Sequence, residues 1–457
     1  MRCASSKTCR VYTTHGSPQP TTDRGGLRAD PRRTPPGVRL SRRVAVVGAG
    51  LAGVATAYEL AALGLQVQVF ERGGSVAEQA SFAGSALLAP FAPGLDEAAP
   101  APLAWRWRRW RAGRRGGDAA ATLAALAALS LFSLARTAEL RHNLPIDDEA
   151  ATGLLVALTD ARRVAAAEAR LDGWRAMGLP VELLDAHQAR QREPGLNADA
   201  ALAAALAFAP GGVGNARLFA QQLRHQAQRL GAGFRFHTTV RAIAADGAGL
   251  TLRHEYTPPP EAPTRSAERD AGDTLPQALG AQDERFDAVV LCNGLDASAL
   301  LGQRLALAAQ HEASVTAPLR LLEAHPELGP RAGWVDPARG LAVARIGQRV
   351  RVTGGLAVTG AQAKVAPDYE ALHRGLQHWF PGSVLHQQVQ QGQNRRALPA
   401  DGLPLLGASG RAGVWLNLSP GGSGWGLACG IAQVLAQQIA GQAPAVDIAP
   451  LGPQRLA

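Results

Sequence analysis

Apolar and polar positions follow two periods along the chain, and the clearest stretch is residues 43–72. Residues 44–47 form an unbroken apolar run with the length of a buried parallel strand. Apolar residues then recur at helical spacing over residues 51–63, and Gly64 ends this predicted helix. Gln66–Phe70 alternates like a second strand. The pattern therefore predicts a β-α-β unit.

Glycines stand where the first predicted strand turns into the helix, as Gly48, Gly50 and Gly53. In G-x-G-x-x-G the first glycine allows the tight turn, the second a close approach of a pyrophosphate, and the third helix–strand packing. An acid about twenty residues later accepts hydrogen bonds from a ribose, and Glu71 has that position. A bare glycine-rich turn is the alternative, and the motif does not identify the dinucleotide. The predicted contacts are Gly48, Ala49, Gly50, Leu51, Ala52, Gly53, Glu71 and Arg72.

Further strands and helices alternate along the rest of the chain. This alternation predicts an α/β protein, in which a Rossmann-type domain is interleaved with an α+β second domain. The strands are predicted at 234–243, 250–256, 286–291, 341–358 and 414–418, and the helices at 160–177, 218–230, 367–380 and 427–439. The insert 257–284, rich in Pro, Glu and Arg, is predicted to be a disordered loop.

A second glycine-rich turn, residues 420–426, precedes the last predicted helix. The N-terminus of that helix is suited to an electron-rich group such as a flavin's pyrimidine carbonyl. Two helix N-termini from opposite ends of the chain favour FAD over NAD.

Residues 103–115 contain three tryptophans and six arginines, and no acid. On a helix Leu103, Trp107 and Trp110 share one face. The favoured interpretation is an amphipathic helix with its tryptophans in the core, and the alternative is a segment at a lipid headgroup layer. Residues 119–135 are apolar but mostly alanine, so we predict a buried or half-buried helix and no transmembrane segment.

The formal charge of +10 lies mostly in one region. Residues 1–43 hold ten Lys and Arg against two Asp, a net of +8, which leaves +2 for the rest. Nucleic-acid binding therefore loses its main support. Residues 1–42 are predicted to be a disordered tail, either a transit peptide or residues upstream of the true start. The four cysteines show no disulfide or zinc pattern, so we expect no metal site and a reducing, cytoplasmic location. A peripheral location on the inner membrane is the alternative that residues 103–115 indicate.

These motifs together resemble those of the FAD-dependent amino acid oxidoreductase family, and within it the bacterial D-amino acid dehydrogenase small subunits. The resemblance runs from about residue 43 to the C-terminus, apart from the insert, and is carried by VAVVGAGLAGVATAYEL, the Trp/Arg-rich 105–111, RVTGG, RALPADGLPLLG and WLNLSPGGSGWGLACG. It implies a D-amino acid oxidase-like fold. The implied FAD-binding segments are 43–100, 211–302 and 395–457, and the implied substrate-domain segments are 101–210 and 303–394.

The resemblance also assigns site residues. Arg396 takes the place of the arginine that holds the substrate carboxylate, and the alternative is a buried arginine that caps a helix or pairs with Asp401. The further flavin contacts that it implies are Val240, Gly294, Asp401, Gly402, Gly421, Gly422, Ser423, Gly424 and Trp425. Pro420, Phe82 and Leu322 depart from the family's histidine, asparagine and tyrosine, which affects the rim of the substrate pocket.

The implied reaction is oxidation of an amino acid at its Cα–N bond by hydride transfer to flavin N5, which gives a 2-oxo acid and ammonia. The implied partners are a small amino acid and a quinone acceptor, with membrane contact through residues 103–115. Three alternatives are an oxygen-using oxidase of glycine or N-methyl amino acids, a tRNA-modifying flavin oxidoreductase domain of the same fold, and a flavin-binding protein that has lost catalysis.

Overall fold

The computed structural model describes residues 42–92, 101–115, 118–245, 247, 249–257, 280–325, 327–418 and 424–456. Residues 1–41 of the predicted tail, most of the insert and the turn 419–423 therefore lie outside the described residues. Residues 41–457 form one compact unit.

The described residues contain strands of two to twelve residues. They are β1 (Arg43–Val47), β2 (Gln66–Phe70), β3 (Leu87–Leu88), β4 (Ala151–Thr152), β5 (Leu154–Leu158), β6 (Val181–Asp185), β7 (Ala204–Phe208), β8 (Gly212–Val213), β9 (Gly233–Arg235), β10 (Thr238–Ala245), β11 (Leu250–Tyr256), β12 (Gln282–Phe286), β13 (Ala288–Leu291), β14 (Leu307–Pro318), β15 (Gly333–Asp336), β16 (Leu341–Ile346), β17 (Arg349–Thr359), β18 (Gln390–Pro399), β19 (Leu405–Ala408) and β20 (Val414–Leu418).

The α-helices of the described residues alternate along the chain with these strands. They are α1 (Leu51–Ala62), α2 (Leu103–Arg115), α3 (Ala119–Asn143), α4 (Ala161–Ala176), α5 (Ala186–Arg192), α6 (Ala216–Arg229), α7 (Ala297–Leu301), α8 (Tyr369–Trp379) and α9 (Gly424–Ile439).

Two large sheets organise the molecule. The first has the order β19-β20-β13-β1-β2-β9, and its strands are parallel except for β19. The second, of eight strands, has the order β18-β14-β17-β16-β15-β5-β7-β6 and is antiparallel except where β15 meets β5. Because the strands of each sheet come from distant parts of the chain, the chain passes repeatedly between them. This confirms the mixed α/β architecture with one Rossmann-type sheet and one largely antiparallel sheet.

The parallel sheet is built as the hydrophobic pattern predicts. Residues Val44, Ala45 and Val46 are fully buried in β1, and α1 packs its apolar side against β2, α6 and α9. The predicted helix 51–63 ends one residue earlier, at Ala62, and Gly64 follows with a positive φ of 80°. The β-α-β unit is thus confirmed.

Helix α3 is longer than the predicted segment and reaches Asn143. By length and composition it is apolar enough to cross a membrane, but buried helices of other proteins meet the same test. Leu126 and Leu129 pack in one apolar cluster with residues of α9, and the amide of Gly430 donates to Ser133 Oγ at 2.9 Å. This side of α3 therefore belongs to the protein core.

Two predictions about other segments were wrong. Residues 282–284 were assigned to the disordered insert but lie in β12, because that strand pairs with β11 and its acids bind arginines of neighbouring strands. In α2 the buried tryptophan is Trp105, at 7% exposure, whereas Trp107 and Trp110 are 55% and 53% exposed. The helix therefore presents to solvent the tryptophan face that was assigned to the core.

Candidate active site

The glycine-rich turn after β1 is shaped by backbone constraints that only glycine meets. Gly48 has a φ of +99°, and a Cβ there would lie 2.9 Å from the carbonyl oxygen of Cys292. A Cβ on Gly53 would lie 1.9 Å from the oxygen of Gly48, whereas one on Gly50 would meet only Ser81 Oγ, at 3.6 Å. The outer two glycines thus serve the protein's own packing. The middle one leaves space in front of α1, whose N-terminus favours an anion.

Glu71 stands at the end of β2 and closes this turn. Its Oε2 accepts the amide of Ala49 at 2.6 Å, and its Oε1 accepts the amide of Gly73 at 2.8 Å. The neighbouring Arg72 donates to Asp296 at 2.7 Å and to Gln79 at 3.0 Å. Each Glu71 oxygen keeps a second lone pair, so the carboxylate can both hold the turn and accept from a ribose.

A cleft of about 760 Å³ runs from the glycine turn to β18. Many residues of the sequence-based assignment border it, namely Gly48, Gly50, Leu51, Ala52, Glu71, Arg72, Val240, Gly294 and Arg396. Val240 lies on β10 and Gly294 in the turn after β13, so the parallel sheet and its neighbours supply one continuous wall.

Three buried side-chain amides on this cleft have an oxygen without a hydrogen-bond partner among the described residues. They are Asn293, Asn394 and Asn417, and all three border the cleft. Buried polar atoms are ordinarily satisfied, so unpartnered acceptors point to a ligand with donors. FAD has an N–H on its flavin ring and hydroxyls on its ribityl and ribose parts, and its pyrophosphate matches the open space at Gly50. The residues present therefore fit FAD.

A second cavity, of about 960 Å³, lies between α2 and the face of the eight-stranded sheet. Its wall is largely apolar, with Leu154, Phe208 and Leu341 among its lining residues. The described acids on the wall are Glu312 and Asp336, and Asp336 is already bonded to Arg339 and Trp379. The hydroxyl of Thr353 is buried on this wall without a partner among the described residues, which leaves it available to a ligand.

Arg396 connects the two spaces. Among the residues that the structure describes, it alone borders both the cleft and the cavity. Its Nε donates to Gln310 Oε1 at 3.2 Å and its Nη1 to Glu312 Oε2 at 3.0 Å. Nη2 has no hydrogen-bond partner within the described part of the chain. Arg395 is exposed and donates instead to the carbonyl of Ala361 at 3.0 Å.

Strand pairing explains this arrangement. In the antiparallel register of β14 and β18, Gln310 faces Arg396 and Glu312 faces Asn394. Because side chains alternate between the faces of a sheet, these four lie on one face, and the next pair, His311 and Arg395, lies on the other. One face thus carries the polar group that separates the two spaces.

The other predicted contacts lie elsewhere. Ala49 and Trp425 are buried, and Trp425 packs on Phe219 rather than along the cleft. Asp401 accepts from Arg455 at 2.6 Å, so the proposed alternative of an Arg396–Asp401 pair is not formed. Gly402 borders the second cavity, and Gly424 begins α9. Gly421, Gly422, Ser423 and Pro420 lie outside the described residues.

The structure describes the other two residues that depart from the family pattern, Phe82 and Leu322. The carbonyl of Phe82 accepts from Arg351 at 2.9 Å, and Leu322 is 42% exposed. Burial lowers the pKa of Arg351 to about 10, so this guanidinium stays charged at neutral pH while it anchors the loop.

Sequence reasoning missed the polar residues that surround Arg396, namely Gln310, Glu312, Asn394, Asn293 and Asn417. A signal existed for two of them. Gln310 and Glu312 lie two positions apart within the stretch LAAQHEASV, and residues two positions apart on a strand share one face.

Comparison with known proteins finds a matching family and similar relatives over most of the chain. The model of a family described as FAD dependent oxidoreductase matches residues 43–438. A D-amino acid dehydrogenase of Cereibacter sphaeroides is 30% identical in an alignment of 444 positions that covers 91% of this chain and 95% of the relative.

Solved structures share the fold. Glycine oxidase from Geobacillus kaustophilus has a TM-score of 0.66 at 22% identity, covering 90% of this chain and 98% of its own. L-Proline dehydrogenase from P. horikoshii has a TM-score of 0.67 at 15% identity, covering 91% and 97%. With the family match over most of its length, the chain belongs to the family of FAD dependent oxidoreductases.

Proposed function

We propose that the chain is an FAD-dependent dehydrogenase that oxidises a D-amino acid, or a related amine, at its Cα–N bond. The observation that carries this proposal is the position of Arg396 between the cofactor cleft and the large cavity. Relatives similar over 95% of their length bear the name D-amino acid dehydrogenase, which supports the substrate class.

Arg396 would hold the substrate carboxylate. A guanidinium stays charged at any working pH, and Nη2 together with the second proton of Nη1 is available for another carboxylate. The apolar wall around Leu154, Phe208 and Leu341 would then take the side chain of the substrate. Binding at both ends fixes Cα at the boundary between cavity and cleft.

FAD, when bound, supplies the capacity to take up two electrons from the substrate. The protein places Cα toward the cleft and leaves the nitrogen lone pair available. The oxidised substrate is an imine, which water converts to a 2-oxo acid and ammonia.

We propose further that α2 brings the protein to an anionic bilayer, where a quinone accepts the electrons. Leu103, Trp107 and Trp110 are exposed on this helix, beside the exposed Arg106, Arg108 and Arg109. Aromatic and basic residues together match the headgroup layer of an anionic membrane. Arg106, Arg109 and Trp110 also border the large cavity, so docking through α2 would place the cavity mouth at the lipid surface.

Anaerobic reduction of the flavin tests the substrate class. We expect the yellow holoprotein to lose its visible flavin absorbance with a D-amino acid but not with the L-enantiomer. Glycine and sarcosine are the comparison substrates, and reduction by these alone would favour the oxidase alternative. Reoxidation by a quinone analogue faster than by air would support the dehydrogenase, and the absence of reduction by every compound would favour a flavin-binding protein without catalysis.

A further inference from the structure

The carboxylate of Glu312 already forms an ion pair with Arg396 inside the protein. Oε2 of Glu312 accepts from Arg396 Nη1 at 3.0 Å and from Asn394 Nδ2 at 2.8 Å. The two side chains of the ion pair are only 12% and 6% exposed. A substrate carboxylate at Arg396 therefore arrives beside a second, buried carboxylate, and the two repel each other.

An amino acid zwitterion reduces this repulsion between the two carboxylates, because its ammonium group arrives together with its carboxylate. Oε1 of Glu312 accepts no hydrogen bond from any residue that the structure describes, and Glu312 borders the cavity. The pair thus offers one cationic and one anionic partner at neighbouring positions, as the carboxylate and ammonium of an α-amino acid require.

We propose that Glu312 binds the substrate ammonium and takes its proton, so that the amine becomes neutral before oxidation. The inference rests on the proposed function, because it concerns the same substrate at the same site. It makes Glu312 a catalytic residue in addition to Arg396.

The proton transfer balances in atoms and charge. One N–H bond of the –NH₃⁺ group breaks and one O–H bond forms at Glu312 Oε1, which gives –NH₂ and a carboxylic acid. The total charge of Arg396, Glu312 and the zwitterion is zero before and after the step. After it, Arg396 pairs with the substrate carboxylate alone, and two buried carboxylates no longer compete for one guanidinium.

The structure holds Glu312 in place for this role. Opposite Glu312, β17 carries one extra residue between Gly354 and Ala357, a β-bulge of the kind often found beside active sites. Asn394 also donates to the carbonyl of Ala83 at 3.0 Å, which anchors the amide that holds Oε2. Oε1 is left for the substrate.

Few other charges influence this carboxylate. Arg396 donates to it from β18, Arg351 lies nearby on β17, and Arg106 and Arg109 of α2 border the same cavity. Burial lowers the pKa of Arg351 only to about 10, and burial lowers the pKa of His311, the neighbour of Glu312 on β14, below its usual value, so neither group titrates between pH 7 and 8.5. The other described acid on the cavity wall, Asp336, has hydrogen bonds to both oxygens. A change of substrate use between pH 7 and 8.5 would therefore be assigned to Glu312 or to the substrate amine.

The first test compares kcat/KM for a D-amino acid across that pH range. We expect a nearly constant value in the natural protein and in Glu312→Asp, which keeps the proton acceptor. Glu312→Gln can use only the free amine in solution, so its kcat/KM should be strongly reduced at pH 7 and rise about tenfold for each pH unit. The control is Glu59→Gln, which removes a buried acid that is paired with Arg136 at 2.9 Å and lines neither cavity, and it should keep the constant profile.

The second test needs no turnover and uses benzoate, a carboxylate without an amine, detected through the flavin spectrum. Because Glu312 competes for Arg396, Glu312→Gln should bind benzoate about tenfold more tightly than the natural protein, while its affinity for a D-amino acid at pH 7 falls. Equal benzoate affinities, or a constant pH profile in Glu312→Gln, would overturn the inference and leave the proposed function standing. If the natural protein oxidised no amino acid, the proposed function would fail, and the benzoate comparison would still decide whether Glu312 occupies the carboxylate site.

Discussion

Glu71 accepts the amide of Ala49 at 2.6 Å, and this bond ties the end of β2 to the first residue after Gly48 in the glycine turn. The same carboxylate accepts from Gly73 at 2.8 Å. The acid expected to bind a ribose is therefore also a structural element of the pyrophosphate turn, and loss of its charge should affect both parts of the cofactor site.

We predict that Glu71→Gln weakens FAD binding about tenfold or more, because one of the two backbone amides loses its charged acceptor and the ribose loses a carboxylate. Flavin content after gel filtration and the Kd from flavin fluorescence measure this change. Glu78→Gln is the control, since Glu78 borders the same cleft and carries the same charge. Equal losses in both variants would indicate a general charge effect instead of a specific contact.

The middle and last glycines of the motif should respond differently. Gly50→Val places its side chain in the open cleft, so we expect a folded protein that has lost most of its FAD. Gly53→Ala places Cβ 1.9 Å from the oxygen of Gly48, so we expect failure to fold or a large drop in Tm. Circular dichroism and flavin content separate the two outcomes, and a fully flavinated Gly50→Val would show that the pyrophosphate lies elsewhere.

The β-α-β unit could be predicted because all of its signals are local. Strand, turn, helix and acid lie within residues 43–72, and apolar spacing fixes which side of each element is buried. The polar group around Arg396 could not be predicted in the same way. Gln310 and Glu312 meet Arg396 and Asn394 only through the register of two strands about 80 residues apart, and no local pattern sets that register.

Helix α2 shows a different limit of prediction from the sequence. Apolar residues occur on more than one side of it, because Trp105 lies away from the face formed by Leu103, Trp107 and Trp110. Helical spacing identifies such faces but does not decide which one is buried. Trp105 is the buried tryptophan because it packs with Ala308 of β14 and Val358 of β17, beside the large cavity.

The exposed face of α2 should bind anionic vesicles. Changing Arg106, Arg108 and Arg109 to Gln should reduce flotation with vesicles rich in anionic lipid, and added salt should reduce it in the natural protein. The control changes the exposed Arg175, Arg192 and Arg374 to Gln, which removes the same charge from other surfaces. Equal reduction by both sets would assign binding to net charge and contradict a specific role of α2.

Arg396 should be required for catalysis but not for flavin binding. Loss of a charge-assisted contact to a carboxylate in a desolvated site costs about 2–5 kcal/mol, so Arg396→Ala should lower kcat/KM by about two to three powers of ten. Arg396→Lys should recover only part, because an ammonium does not present paired donors. Stopped-flow reduction of the flavin by the amino acid measures the effect.

Arg395→Ala is the matched control for this arginine. Arg395 borders the cofactor cleft but not the large cavity, donates to Ala361 and lies on the opposite face of β18 from Arg396, so its loss should leave reduction by the amino acid close to normal. A larger effect of Arg395→Ala than of Arg396→Ala would show that carboxylate recognition lies on the other face of the strand.

Glu193 should make the stability of the fold depend on pH. It is 3% exposed, and its two oxygens lie 2.9 and 3.0 Å from the amide nitrogen of Arg331. Burial raises the pKa of Glu193 from 4.5 to about 7, although the amides of Arg331 and Ala332 oppose the shift. Between pH 4.5 and 7 the folded state therefore binds more protons at this site than the unfolded state, so the contribution of Glu193 to the free energy of unfolding falls as pH rises.

We predict that Glu193→Gln removes this dependence, because the amide stays neutral and still offers an oxygen to Arg331. Urea unfolding of the two holoproteins at pH 5 and pH 8 isolates the effect, since all other titrating groups are common to both. The natural protein should lose about 1–3 kcal/mol relative to Glu193→Gln between these pH values. An unchanged difference would mean that Glu193 has the same proton affinity in the folded and unfolded chain, and that the Arg331 and Ala332 amides fully offset its burial.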